Sequence, residues 1–282
     1  MNNNTSRTVK ILIYVGLIIF FLLVVFPLVY ALFGSFKSTV DFLTGGSSLF
    51  PKKGWRLQNY SDAWRTANFG TYTINSILFS VISVVGTLFT TTMTGYAISR
   101  SKFKIKKMLV GSFGITLFIT GAITMYPIYQ LCQSIGLTSN LWGMVLVQMA
   151  ENQAVFCILV ANYVNGISRE IDEAARIDGC GFFRIYWNIM LPIILPIIAT
   201  VGILAFRNAW NNYMMPLVFT LSKPALRTLT VGVVALKDQG DGISAWNLMI
   251  AGTVISLLPM IVIYLFLNKF FIAGITEGSV KG

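Results

Sequence analysis

The chain has 282 residues, of which 55% are hydrophobic and only 11% charged, with a formal net charge of +11 and a mean hydropathy of +0.73. Soluble globular domains carry about 25% charged residues, so these values exclude an ordinary cytosolic enzyme, a disordered chain and a disulfide-stapled secreted domain. Histidine is absent, which excludes zinc sites and His-dependent triads, and the widely spaced Cys132, Cys157 and Cys180 read as reduced and without a redox role. What remains is a polytopic membrane protein.

A bilayer core about 30 Å thick needs roughly 20 apolar residues in a helix. Residues 1–10 read as an N-terminal tail and 11–282 as a single transmembrane domain without a soluble catalytic domain. Ile11 to Phe33 is 23 residues without a charge. That run is longer than the apolar core of a signal peptide and no small-residue cleavage site follows it, so it is expected to stay as the first span. Tyr72–Ser99, rich in Thr, Ser and Gly, is the second. Met108–Leu131 is the third, expected to be interrupted at Pro127. Leu141–Tyr163 is the fourth and carries Glu151. Ile193–Met215 is the fifth, broken by Pro196 and containing Arg207, and Leu248–Leu267, with Pro259 inside, is the sixth. Phe50, Trp55, Tyr60, Trp64 and Trp246 fall outside the spans, where aromatic rings anchor at membrane interfaces.

Six spans put both termini on one side. If that side is the cytoplasm, the inner segments 1–10, 100–107, 164–190 and 268–282 hold 12 Lys and Arg, against 8 in the longer outer segments. This asymmetry is the expected one, because Lys and Arg are retained inside. The densest cluster is Arg100, Lys102, Lys104, Lys106 and Lys107. The net +11 therefore reads as topology and contact with membrane lipid, with no nucleic-acid partner, since the basic residues are scattered between spans instead of gathered on one face.

The segment between spans four and five differs. Four of the ten acids, Glu170, Asp172, Glu173 and Asp178, fall there within nine positions. Ser168 suits an N-cap, Glu170 and Asp172 suit the positive first turn of a helix, and Gly179 suits its stop. Ile167, Ile171, Ala174 and Ala175 make a narrow small-residue face, while Glu173 can pair locally with Arg169 or Arg176. Cys180 to Ile189 reads as a second short amphipathic helix. A helix–Gly–helix over 168–190 with a shallow Ala face suits a gripping partner; equally, it suits a reverse turn packed on the protein's own helix ends.

Glu173-Ala174-Ala175, then Gly179, Ile189 and Leu191-Pro192, resembles the EAA signature of ABC importer permeases without a departure. Trp210-Asn211-Asn212-Tyr213 with Met215-Pro216-Leu217 resembles a stretch of the carbohydrate-uptake branch, and Phe271-Ile272-Ala273-Gly274 with Gly278–Gly282 resembles the end of the second maltose-type permease. The resemblance implies an all-α, six-helix type I (MetI-like) importer permease fold in a bacterial cell (inner or plasma) membrane. It implies cytoplasmic coupling helices at the EAA loop that dock in a groove of a separate ATP-binding subunit. Glu173 and Asp178 would belong to that docking surface, Ala174 and Ala175 would enter the groove, and Gly179 would form the bend. The implied partners are a second permease subunit forming a heterodimer, an ATP-binding subunit dimer and an extracytoplasmic solute-binding protein. The chain has no Gly-rich GxxxxGK[ST] phosphate loop, so ATP and Mg are expected on the partner and none of this chain's residues is expected to be catalytic.

The remaining candidates are polar groups at membrane depth. Arg207, Asn208, Asn211, Asn212 and Tyr213, and Glu151 beside Asn152 and Gln153, either line a solute pathway or hold helices and subunits together, because a charge there faces a bundle interior or water. Arg207 departs from the apolar or small residue usual in the family. A Glu151–Arg207 pair across the bundle is one possible arrangement. The expected function is half of the pathway of a sugar or oligosaccharide importer. The alternatives are a permease for another polar solute such as a glycerol-phosphate compound, and a secondary transporter, for which Glu151 is the one available intramembrane carboxylate.

Overall fold

The computed structural model describes residues 7–45, 48–238 and 245–279. The first six residues of the expected N-terminal tail and Val280–Gly282 of the C-terminal motif lie outside the described residues. Every regular element among the described residues is helical. The order is α1 (Arg7–Gly34), α2 (Thr39–Gly45), α3 (Gln58–Thr66), α4 (Phe69–Arg100), α5 (Lys106–Thr116), α6 (Gly121–Ser134), α7 (Leu141–Glu151) and α8 (Gln153–Asn165). It continues with α9 (Glu170–Ile177), α10 (Phe182–Ile185), a π-helical turn at Tyr186–Met190, α11 (Leu191–Ile193), α12 (Leu195–Asn211) and α13 (Met214–Phe219). After a 3₁₀ turn at Pro224–Leu226 come α14 (Leu229–Ala235), a second 3₁₀ turn at Leu236–Asp238, and α15 (Trp246–Ser279).

Three helical stretches, Val9–Gly34, Phe69–Arg100 and Trp246–Phe266, are long and apolar enough to cross a membrane unbroken. Three bent pairs supply the others: α5 with α6 at 111°, α7 with α8 at 49°, and Phe182–Ile193 with α12 at 79°. Counted with each pair as one span, the total is the expected six. The breaks correct two details of the sequence reading. Pro127 lies inside α6 without ending it; the third span breaks instead at Leu117–Thr120, where Thr120 is extended (φ −78°, ψ 139°) before Gly121 opens the next helix. The fourth span, expected to be continuous, breaks at Asn152. The fifth breaks at Ile194, next to the predicted proline. Pro196 falls in the first turn of α12, where its missing N–H leaves no hydrogen bond unmade. Pro259 sits within α15 without breaking it.

By contacts the chain forms two compact units, Met1–Phe69 with Gly232–Leu258 and Gly70–Val231 with Pro259–Gly282. The first is organised by a buried polar network that gathers at the ends of two of the long helices. Asn59 is 2% exposed; its Nδ2 donates to the carbonyls of Ser35 (2.7 Å) and Lys37 (2.8 Å), and its Oδ1 accepts from Asn247 Nδ2 (3.0 Å). Lys37 is fully buried: its ammonium donates to the Ser48 carbonyl and lies over the rings of Tyr30 (4.8 Å) and Phe42 (5.3 Å). Burial drives its pKa down, against a smaller upward pull from Asp41. Phe33, Phe36, Phe50, Trp55 and Tyr60 pack ring on ring around this corner, which is where the sequence placed interfacial aromatics.

The second unit is built around α4. Lipid tails are as apolar as leucine, so helix association in a membrane depends on close packing and interhelical polar contacts more than on burial of apolar area. Accordingly Ser76, Ser80, Ser83, Thr87 and Thr91 repeat every three or four residues along α4, and all are buried. At Gly95 a Cβ would lie 2.6 Å from Val160 Cγ1 and 3.1 Å from the Ala161 amide, so only glycine lets α8 come this near α4. One core cluster joins Tyr96 of α4, Phe156, Val160 and Val164 of α8, Ala175, Ile185, Tyr186 and Met190 of the loop, and Ile197, Val201 and Ala205 of α12. The loop between the fourth and fifth spans is thus part of the unit's core.

Candidate functional site

The loop is held from three directions. Helix α9 starts at Glu170, with the Ser168 hydroxyl accepting the Glu170 amide at 3.2 Å; Glu170, Asp172 and Glu173 occupy its first turn, where acidic side chains favour the positive helix end. It ends in a Schellman arrangement: Cys180 N–H donates to Ala175 O (2.9 Å) and Gly179 N–H to Arg176 O (3.0 Å). This closure needs a left-handed residue, and Gly179 supplies it with φ +79°. Nothing lies within 4 Å of a Cβ built there, so the requirement for glycine is conformational and leaves the surrounding space open.

The second attachment is a buried ion pair that sequence spacing does not reveal. Asp172, expected as a first-turn acid, is 3% exposed; its Oδ2 lies 2.9 Å from Arg100 Nε, and its Oδ1 accepts the Tyr96 hydroxyl at 2.8 Å. Arg100 Nη2 also donates to the Ile167 carbonyl (2.9 Å) and, more weakly, to that of Ser168 (3.4 Å). The last turn of α4 therefore grips the start of the loop through one guanidinium. Beside it, Ser99 Oγ donates to Asn165 Oδ1 at 2.6 Å. Arg100, counted from sequence among the topology-setting charges, is the partner of Asp172, and Tyr96 completes the triad; sequence reasoning places Asp172 in the loop but does not bring Arg100 or Tyr96 to this site.

The third attachment is aromatic. Ile185 and Tyr186 are buried, Tyr186 shares a 2.7 Å hydroxyl hydrogen bond with Thr92, and Tyr96 packs on Phe182 and Tyr186 at 4.9 and 5.5 Å. The predicted second amphipathic helix is realised as α10 and the π turn, with Phe183 and Trp187 outward.

These attachments divide the predicted loop residues. Ala175 is 5% exposed and faces the protein's own core, away from any external groove. Glu173, Ala174, Asp178 and Gly179 are exposed. Between them Ile177 is 87% exposed, a large apolar side chain on an otherwise polar rim. The outward surface thus includes two acids, a small residue, an isoleucine and a glycine bend.

The second predicted group forms a node where helices break. Asn212, at the end of α12, donates through Nδ2 to Gln148 Oε1 (2.8 Å) and Glu151 Oε2 (3.3 Å), and Gln148 Nε2 donates to the same carboxylate oxygen (3.4 Å). Asn212 Oδ1 accepts the Met215 amide (3.3 Å), which starts the turn into α13. A Cβ at Gly121 would lie 3.1 Å from Glu151 Oε1, so the carboxylate rests at the N-terminus of α6, the favourable end of that helix for an anion. Glu151 therefore joins the ends of α6, α7 and α12. Arg207 stands apart: Nη2 donates to Asn208 Oδ1 at 3.3 Å, and among the described residues the only ion pair is Arg100–Asp172. The Glu151–Arg207 pair does not form, because Asn212 and Gln148 already meet the carboxylate. Arg207 and Asn211 are exposed, Asn208 and Tyr213 half-buried. Among the described residues no cluster of carboxylates and thiols suits a metal ion.

Comparison with known proteins agrees with this architecture. Residues 1–276 match the family described as binding-protein-dependent transport system inner membrane component. The arabinooligosaccharides transport system permease protein AraQ of Halalkalibacterium halodurans is 31% identical over 285 residues, covering 100% of both chains. The melibiose/raffinose/stachyose import permease protein MelC of Bacillus subtilis is 29% identical over 225 residues, covering 79% of this chain and 80% of its own. A chain in the crystal structure of a bacterial ABC transporter involved in the import of the acidic polysaccharide alginate superposes with a TM-score of 0.80 at 23% identity, covering 96% of this chain and 100% of that one, so the two share a fold. The chain belongs to the family of inner membrane components of binding-protein-dependent transport systems.

Proposed function

We propose that this chain forms half of the translocation pathway of an ATP-binding-cassette importer for a sugar or oligosaccharide, paired with a second permease subunit. A separate ATPase dimer, carrying ATP and Mg, engages the 168–190 loop, and a solute-binding protein delivers solute on the opposite side. Both termini and the loop lie in the cytoplasm, consistent with the excess of Lys and Arg on that side. The carbohydrate class rests on relatives named for arabinooligosaccharides and for melibiose, raffinose and stachyose.

The observation that carries the reading is the loop's two-sided construction. Its inner face, Asp172, Ala175, Ile185 and Tyr186, is buried in the core shared by α4, α8 and α12. Its outer face offers Glu173, Ala174, Ile177 and Asp178 to solvent. A force applied to the outer face reaches the spans through a buried ion pair and packed rings, without a flexible intermediary. Glu173, Ala174, Asp178 and Gly179 are the docking residues in this reading, and Ala175 is the inner anchor.

In proteoliposomes containing the complete complex and its binding protein, Glu173→Lys should abolish sugar-stimulated ATP hydrolysis and uptake while the chain still inserts. Full uptake by that variant would sink the docking assignment.

A further inference from the structure

Between the last turns of α4 and the start of α5 lies a groove of about 340 Å³, lined by Phe89, Met93, Ala97 and Ile98 on one side and Phe103 and Leu109 on the other. Its lining is mainly apolar, with Thr90 and Thr94 as the polar exceptions. Phe89 and Ile98, the first and last residues of α4 that line it, are nine positions apart, and at 1.5 Å per residue the groove runs about 13 Å along α4, a little under half of a hydrocarbon core about 30 Å thick. It is therefore long enough to hold most of the depth of one leaflet's acyl chain.

The mouth of the groove is strongly basic. Lys102 and Lys104 lie in the connection between the helices, and Lys106 and Lys107 form the first turn of α5, whose amide end adds partial positive charge. No Asp or Glu occurs between Asp62 and Glu151, and Arg100 is already committed to Asp172. Lys102, Lys104 and Lys107 are exposed. Topology requires lysines on this side of the membrane but does not require an apolar slot between the two helices whose connection and first turn carry four of them.

We propose that this groove binds an anionic phospholipid, with an acyl chain lying along Phe89, Met93 and Ala97 and the headgroup phosphate held by the lysines of the α4–α5 connection. The assignment rests on the chain being embedded in a bilayer as read above, but not on which solute it carries. The loop holds the same stretch of α4 through Thr92, which is not among the lining residues and bonds Tyr186, and it reaches the groove wall itself where Trp187 lies 6.3 Å from Phe89. A bound lipid would thus touch the helix that holds the loop.

The test uses the purified complex, delipidated in detergent and titrated with phosphatidylglycerol or phosphatidylcholine, with retained lipid counted by native mass spectrometry. The wild type should retain phosphatidylglycerol saturably and in preference to phosphatidylcholine. Lys104→Gln combined with Lys107→Gln should weaken that retention about tenfold, since each basic side chain near the headgroups contributes severalfold. Ala97→Trp, which fills the slot without changing the charge, should abolish it. Equal retention of the two lipids, or wild-type retention by Ala97→Trp, would overturn the site. Loss of the companion subunit on Ala97→Trp with lipid retention unchanged would assign the groove to a subunit contact instead. Because the readout is bound lipid, it stays informative even if the transported solute is not a sugar.

Discussion

Asp172 shows how a residue's role depends on what it meets in the fold. On the helix alone it is one of three first-turn acids and exchangeable with Glu170 or Glu173. In the folded unit it is the one of the three that is buried, and both its oxygens are engaged, by Tyr96 and Arg100. Removing one partner from a buried ion pair leaves the other charge uncompensated, at a cost of about 3–5 kcal/mol, whereas losing one hydrogen bond to a charged group costs about 1.5–3 kcal/mol. Asp172→Asn should therefore lower the thermal midpoint of the purified complex more than Tyr96→Phe. It should also lower uptake per assembled complex, because Arg100 would hold the loop only through the Ile167 and Ser168 carbonyls. Equal midpoints for the two variants would mean that the pair is not the attachment described.

At the scale of the element, the question is why the loop bends at Gly179 and the spans break where they do. The φ of +79° costs an L-residue about 1 kcal/mol or somewhat more, and the open space around the Cβ position adds no clash. Gly179→Ala should therefore fold, with a small drop in thermal midpoint, and Gly179→Asn should be milder still, because Asn tolerates the left-handed region. If Gly179→Asp nevertheless uncouples ATP hydrolysis from uptake while keeping a near-normal midpoint, the loss belongs to docking and not to folding. A collapse of the midpoint in both Gly179→Ala and Gly179→Asn would instead make the bend a folding requirement. The Gly179 stop and the Pro196 break were legible in the sequence because glycine and proline act through their own backbone. The breaks at Thr120 and Asn152 were not, since neither residue forbids a helix; both lie at the polar node of Glu151, Asn212 and Gly121. Arg100 and Asp172 are 72 positions apart, and no periodicity within one segment joins them. The same holds for Glu151 and Asn212 of α12, 61 positions apart, whereas Gln148 lies one helical turn before Glu151 on α7.

At the scale of the whole molecule, the chain leaves two kinds of surface exposed. Helix α1 is exposed along most of its length, but that surface is apolar, and lipid alone can satisfy it. Glu151, Arg207 and Asn211 are also exposed, and they sit within membrane-spanning segments. A charge against hydrocarbon at the helix centre costs about 2.5–3.5 kcal/mol on insertion scales, so two exposed charges and an amide have no stable place against lipid. They need either water or a polar companion, which is what half of a pathway provides. Cysteine accessibility separates the two surfaces. In a background with Cys132, Cys157 and Cys180 replaced, Arg207→Cys and Asn211→Cys in the assembled complex should react with a membrane-impermeant thiol reagent, at rates that change when the transport cycle is arrested with a non-hydrolysable ATP analogue. Phe20→Cys, at 67% exposure on α1, should stay unreactive because lipid covers it. If all three remain unreactive in every state, Arg207 and Asn211 are sealed in a contact between subunits, and the solute passes elsewhere.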